Sequence, residues 1–137
     1  MASFHERLEA EFENIEKAVS KLPQIESLPN LTELEIAGVA ALIHSFYNGI
    51  ENVLKQSVKE KKLPFPQGDS WHRDLIELAT INRIISEETS QKLKKFIAFR
   101  HFFSHAYAFE LDPERIVSLV KEAPEILKII RSELAKL

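Results

Sequence analysis

Cysteine is absent from the 137-residue chain. That excludes a disulfide framework, a thiolate metal site and a cysteine nucleophile, and it accords with a reducing compartment. Glycine is scarce, with only Gly38, Gly49 and Gly68, too few for the tight turns of a β-sandwich, a barrel or a dinucleotide-binding α/β fold. Charge of one sign is not in large excess. Eighteen basic against 21 acidic side chains give a formal charge of −3, so the chain as a whole is no polycation, and a nucleic-acid role requires a local basic cleft. Long apolar runs are missing as well. The longest, Ile36 to Ile43, is too short to span a bilayer, and the charged stretch Met1 to Glu16 has no apolar core of a secretory signal. The expectation is a soluble cytoplasmic protein with no membrane contact.

What is present reads as helices. Hydrophobic residues make up 45% of the chain and charged ones 28%, ordinary for a single globular domain of a length that buries its own core. Phe4, Leu8, Phe12, Ile15, Val19 and Leu22 step by three and four along one helical face. Pro23 and Pro29 bracket a short connection that a helix does not cross. Thr32 to Glu35 reads T-E-L-E, a capping box, and opens a second helix to about Lys62, where Leu63-Pro64-Phe65-Pro66 stops it. Its middle, Ile36 to Tyr47, is apolar nearly all round, as in the central helix of a bundle or an interface. Its second half turns basic with Lys55, Lys59, Lys61 and Lys62.

Gln67-Gly68-Asp69 marks a turn, followed by a short helix from about Trp71 to Thr80 with Ser70 or Asp69 as its cap. Ser86, with Glu87 and Glu88 behind it, starts a fourth helix that is expected to reach Tyr107 or Ala108. Asp112-Pro113 starts the last helix, and Pro124 inside it is expected to produce a kink. No segment alternates with period two. The expected fold is all-α, an antiparallel four-helix bundle plus one short helix, in a single domain over residues 1–137.

The chemistry concentrates between Phe96 and Tyr107, F-I-A-F-R-H-F-F-S-H-A-Y. At 100° per residue its apolar side chains cover an arc of roughly 220°, wide enough for two buried sides, one on the core and one on something else. Arg100 lies inside that arc, and a guanidinium among phenylalanines needs an anionic partner or a polar cleft. One reading is structural, with Glu51 on the second helix as the partnering carboxylate and the aromatic stripe as plain core. His101 and His105 are one turn apart on the more polar flank. No H-E-x-x-H pattern and no third ligand accompany them, so no metal site is expected. Tyr107 falls within about 20° of Arg100 on the wheel, whereas His105 lies about 140° away. Arg100 and His105 share a cleft only if the helix bends or ends here, or if a second protomer closes it.

Arg100-x4-His105-x-Tyr107 resembles the R-x4-H-x-Y motif of HepT-like toxins in the HEPN superfamily. His101 fits the position after the motif arginine, although the commoner segment has asparagine there and an aliphatic residue where this chain has Ser104. The motif's place late in the fourth helix and the aromatic-rich second helix, His44 to Leu54, are similar to the family as well. The resemblance implies a HEPN-like bundle that forms a homodimer with a composite cleft. It implies a metal-independent endoribonuclease of a type VII-like toxin–antitoxin system, with no cofactor. In that resemblance His105 is the acid–base group and Arg100 holds the scissile phosphate; His101 is placed in support. It further implies an MntA-like minimal nucleotidyltransferase antitoxin that adds AMP to Tyr107. The other reading is a non-catalytic HEPN subunit that binds a nucleotidyltransferase or a nucleotide through the Arg100 cleft.

Overall fold

Helices begin where the sequence supplies a capping oxygen. The computed structural model describes residues 2–137, less the side chain of Ala108; Met1, the first residue of the expected domain, lies outside the described residues. Ser3 Oγ accepts the Glu6 N–H at 3.1 Å ahead of α1 (Phe4–Ser20). The box at Thr32 and Glu35 is made in both directions, at 2.9 and 3.1 Å, and opens α2 (Glu33–Glu60). Ser86 Oγ accepts the Thr89 N–H at 3.1 Å at the head of α4 (Glu87–His105). Asp112 accepts the Glu114 N–H at 3.0 Å, with Pro113 as the first residue of α5 (Pro113–Leu134). Each such bond satisfies one of the N–H groups a helix start leaves without a partner, and is worth about 1 kcal/mol.

Helix α3 (Trp71–Ile81) departs from that pattern. Ser70 holds the N-cap position but accepts no backbone N–H; its hydroxyl donates to Asp74 at 3.3 Å, so the expected side-chain cap is not made by Ser70. Two short 3-10 turns, Ile25–Asn30 and Ala108–Glu110, complete the elements. Among the described residues there is no strand, and all five expected helices are present.

Helix α2 packs against α1, α3, α4 and α5. Its buried residues, among them Val39, Ile43, Phe46, Tyr47, Ile50 and Leu54, cover a wide arc, while Leu34, Gly38, Ala41, Ser45 and Asn48 leave an exposed stripe, so the helix is not buried all round, contrary to what its apolar sequence predicts. The buried apolar side chains of all five helices join in one cluster. Phe96 of α4 lies against Phe46 and Tyr47 of α2, with ring centroids 5.3 and 6.2 Å apart. The Glu133 carboxylate of α5 accepts the Ser86 N–H and the Thr89 hydroxyl at the head of α4. Lys95 and Glu122 pair at 3.0 Å further along the same two helices.

Two helix ends differ from expectation. α2 stops at Glu60, because Lys62 takes a left-handed φ of 57° just before Leu63-Pro64. α4 stops at His105, short of Tyr107. Ala106 turns extended (φ −89°, ψ 155°), and the Tyr107 N–H donates to the Glu110 carboxylate at 2.8 Å, which closes the separate 3-10 turn. α5 runs through Pro124 without ending.

Two glycines of α2 are expected to respond in opposite directions. A Cβ at Gly49 would overlap Ile15 Cγ1 of α1, and Ile15 is both buried and β-branched, so it yields poorly. Gly49→Ala should therefore destabilise the fold by about 1–3 kcal/mol. Gly38 is exposed, and a Cβ there meets nothing within 4 Å. Gly38→Ala should stabilise by up to about 1 kcal/mol through helix propensity alone. Urea unfolding of both variants against the wild type checks the pair.

Candidate functional site

Helix α4 buries Leu93, Phe96 and Phe99, so its inner stripe is core. Ile97, Phe102 and Phe103 on the same helix are only half-buried, so its wide apolar arc is incompletely covered within one chain. Arg100 sits between these surfaces, half-buried. Its Nε is buried without a hydrogen-bond partner. Among the described residues no carboxylate comes within the 4.0 Å of an ion pair with it. The expected Arg100–Glu51 pair is thus not formed. Glu51, only 3% exposed, pairs instead with His72 of α3, whose Nδ1 lies 2.6 Å from Oε2. An imidazole has taken the compensating role that the sequence reading gave to the guanidinium.

Arg100 lines a cleft of about 550 Å³ between α4 and the start of α3. Ile97, Ala98 and His101 join it from α4; Asp69, Ser70, His72 and Arg73 come from the other side. Two guanidinium groups and two imidazoles face one carboxylate. This is the local basic cleft that an acidic chain needs in order to hold an anion, and a planar guanidinium suits phosphate oxygens.

Two groups of α2, His44 and Tyr47, feel the charges of both Arg100 and Glu51. The His44 ring packs on Phe103 at 5.2 Å, with the Asn48 amide 3.4 Å from its Nδ1. Burial, and then the Arg100 charge, hold its pKa below the ordinary histidine value, while Glu51 pulls the other way. The Tyr47 hydroxyl is buried close to the Glu51 carboxylate. Burial, and then the neighbouring Glu51 carboxylate, push its pKa well above that of a free phenol, with Arg100 opposing. The phenol therefore stays protonated, and His44 tends to neutrality.

The other motif residues are placed apart from Arg100. His101 and His105 meet edge-on with ring centroids 4.6 Å apart, and both are exposed. His101 lines the Arg100 cleft and His105, one turn further on, does not, because α4 stays helical through His105 and keeps it on a different flank from Arg100. Tyr107 does not continue the wheel beside Arg100, since α4 has already ended. It is 71% exposed, and its ring stacks on Phe109 at 5.4 Å. Tyr107 also borders an apolar pocket with Ala37, Phe103, Ala106 and Leu111. Among the described residues no cluster of three or more His, Asp or Glu side chains is placed to hold a metal ion, and no helix is long and apolar enough to cross a membrane.

Sequence reasoning missed His72 and Tyr47. His72 is 21 positions from Glu51, a separation with no helical meaning. The available signal was indirect: a glutamate within an apolar helix demands a partner, and a histidine beside Trp71 was unclaimed.

The His44 environment sets a direction for acid stability. Its folded-state pKa is depressed, so as pH falls below about 6.5 the unfolded chain takes up the proton first and stability is lost. The thermal midpoint should fall between about pH 7 and pH 5, and more steeply for the wild type than for His44→Gln. Melting curves of both proteins across that range check the sign; equal slopes would remove His44 as the source.

A family model described as HepT-like protein matches residues 38–137. No curated protein and no solved structure gives a match. The matched span runs from within α2 to the end of the chain and contains the whole Arg100-to-Tyr107 segment and the cleft around it. This chain belongs to the family of HepT-like proteins.

Proposed function

We propose that this protein is an endoribonuclease toxin of a type VII-like HEPN and nucleotidyltransferase pair, acting as a homodimer without a metal ion or cofactor. In this reading residues 1–137 form one HEPN-like domain, an antiparallel four-helix bundle in which α3 is the additional short helix. The observation that carries the proposal is Arg100: a half-buried guanidinium with no carboxylate partner, on the wall of a basic cleft. A phosphodiester of RNA supplies the missing anion. The ribose 2′-oxygen attacks phosphorus, the 5′-oxygen leaves, and a 2′,3′-cyclic phosphate remains. Arg100 stabilises the charge that grows on the phosphoryl oxygens, and His105 transfers a proton, as an imidazole does well near neutral pH. His101 supports the bound phosphate beside Arg100.

The dimer answers the separation of Arg100 and His105 in one chain. Tyr107, Phe109 and Leu34 are 71%, 68% and 83% exposed, and Ile97, Phe102 and Phe103 of α4 are half-buried. Apolar surface of this kind favours association. A partner meeting the chain along α4 brings a second His105 toward the Arg100 cleft. The same separation is what favours the second reading, a non-catalytic subunit that holds a nucleotidyltransferase or a nucleotide through Arg100.

Light scattering after gel filtration should give twice the chain mass, and the dimer should cut RNA in excess chelator to 2′,3′-cyclic ends. His105→Ala should lose roughly 10²- to 10⁴-fold in rate. Arg100→Ala should lose a comparable factor that Arg100→Lys does not recover, since the fork geometry is gone. Full activity in both alanine variants, or abolition by chelator, overturns the mechanism. A folded, inactive wild type that binds a nucleotidyltransferase selects the second reading.

Tyr107 is the control point. Its exposure leaves the hydroxyl open to an MntA-like nucleotidyltransferase, and AMP on it adds a phosphate that competes for the composite cleft. Tyr107→Phe keeps the ring that stacks on Phe109 and should fold, dimerise and cut RNA. Co-expressed with the partner enzyme, it should gain no nucleotide mass and stay active, whereas the wild type gains one AMP or more on Tyr107. Peptide mass spectrometry checks this, and nucleotide found on another residue counts against it.

A further inference from the structure

Cleavage at a ribose 2′-hydroxyl needs two proton transfers. One group takes the proton from the attacking 2′-oxygen, and another gives a proton to the departing 5′-oxygen. Arg100 remains charged throughout and His101 is assigned to the bound phosphate beside it, which leaves the motif segment one acid–base side chain, His105. The cleft that holds Arg100 contains another imidazole that the motif does not include. His72 lines that cleft. It is fixed from two sides, by the Glu51 carboxylate at 2.6 Å on Nδ1 and by the Trp71 ring with centroids 3.6 Å apart. Its side chain is 17% exposed, against 4% for Glu51, so the carboxylate is shut in behind an imidazole that reaches the cleft. A carboxylate only accepts, which puts the shared proton on Nδ1 and leaves the Nε2 lone pair free to take another.

We infer that His72 is a catalytic residue of this site, its Nε2 accepting the 2′-hydroxyl proton while Glu51 positions the ring and His105 protonates the leaving 5′-oxygen. The inference rests on the ribonuclease reading above and deepens it. The step balances: the 2′-O–H bond breaks to Nε2, the 2′-oxygen bonds to phosphorus, and the phosphorus–5′-oxygen bond breaks. The proton for that oxygen comes from the His105 imidazolium, so the pair of imidazoles ends with its charges exchanged and no net proton gained or lost. Arg100 holds the non-bridging oxygens meanwhile. The carboxylate–imidazole arrangement is the usual means of fixing which ring nitrogen acts as base.

The decisive variant is His72→Asn. Its amide retains a donor for the buried Glu51 carboxylate and has no proton acceptor equivalent to Nε2. A merely structural His72 predicts an active Asn variant. The catalytic assignment predicts a folded dimer that loses roughly 10²- to 10⁴-fold in rate. His72→Ala should lose as much and regain about tenfold or more with free imidazole, as a missing general base does. Glu51→Gln should lower kcat while leaving KM within about twofold, since it misorients the base without touching substrate. A readout independent of turnover uses a 2′-O-methyl oligoribonucleotide, which has no attacking hydroxyl: its binding should shift the Nε2 resonance of His72 in ¹⁵N spectra. If the wild type cuts RNA and His72→Asn cuts equally well, this inference is overturned and the ribonuclease reading stands. If the wild type does not cut, the ribonuclease reading and the base role fall together. An unshifted Nε2 then also removes His72 from the phosphate cleft, while a shifted one keeps it there as a binding residue.

Discussion

Charge burial beneath α4 is the constraint around which the site is built. Two ionisable side chains of opposite sign, Glu51 and Arg100, act on the same neighbours, Tyr47 and His44, and yet they do not pair. Glu51 is the more deeply buried, and a carboxylate so enclosed without a partner would cost about 3–5 kcal/mol. His72 removes that cost by reaching in from α3. Arg100 is left without a carboxylate, and it is half-buried at a cleft rather than sealed in the core. A structural ion pair between the two would have left no unpaired guanidinium at the cleft. Dividing them gives one satisfied pair and one cation open to an external anion.

The fold provides that division through α2. Glu51 lies on the buried arc of α2, away from its exposed stripe, so it must be met from within the bundle, and α3 is the element that meets it. The contact ties α3 to α2, and α3 also packs on α4, so that the start of α3 faces Arg100 across the cleft. α3 has no side-chain cap at its start, so the Glu51–His72 contact and the packing of Leu75, Ile76 and Ala79 hold it. The short helix, with Asp69 and Ser70 just ahead of it, thereby contributes one wall of the cleft.

Electrostatics at the site run against the average of the molecule. A chain of formal charge −3 gathers Arg73, Arg100, His72 and His101 around one concave surface. Local concentration of this sort steers a polyanion without a polycationic protein. The same helix carries half-buried apolar side chains, Ile97, Phe102 and Phe103, and is followed by an exposed aromatic pair, Tyr107 on Phe109. The basic cleft and the exposed apolar side chains therefore adjoin at the end of α4, the arrangement the proposed composite site calls for.

Much of the fold was legible in the sequence because its determinants are local. Caps at Thr32, Ser86 and Asp112 and the three- and four-residue spacing of apolar positions act within a turn or two, and the all-helical chain followed from them. The Arg100-to-Tyr107 segment was legible as a pattern and led to the family. Its geometry was not. The wheel carried α4 past His105, but Glu110, three residues beyond Tyr107, captures the Tyr107 N–H and turns the chain out of the helix. Glu51 was recognisable as a buried carboxylate in need of a partner; which residue answers it depended on how α3 crosses α2, and no spacing along the chain encodes a contact between positions 51 and 72. The sequence by itself determined the helices, their starts and the identity of the chemical groups. Tertiary structure alone decided which charges pair and which remain open, because the pairing of buried charges is settled by the three-dimensional approach of distant helices.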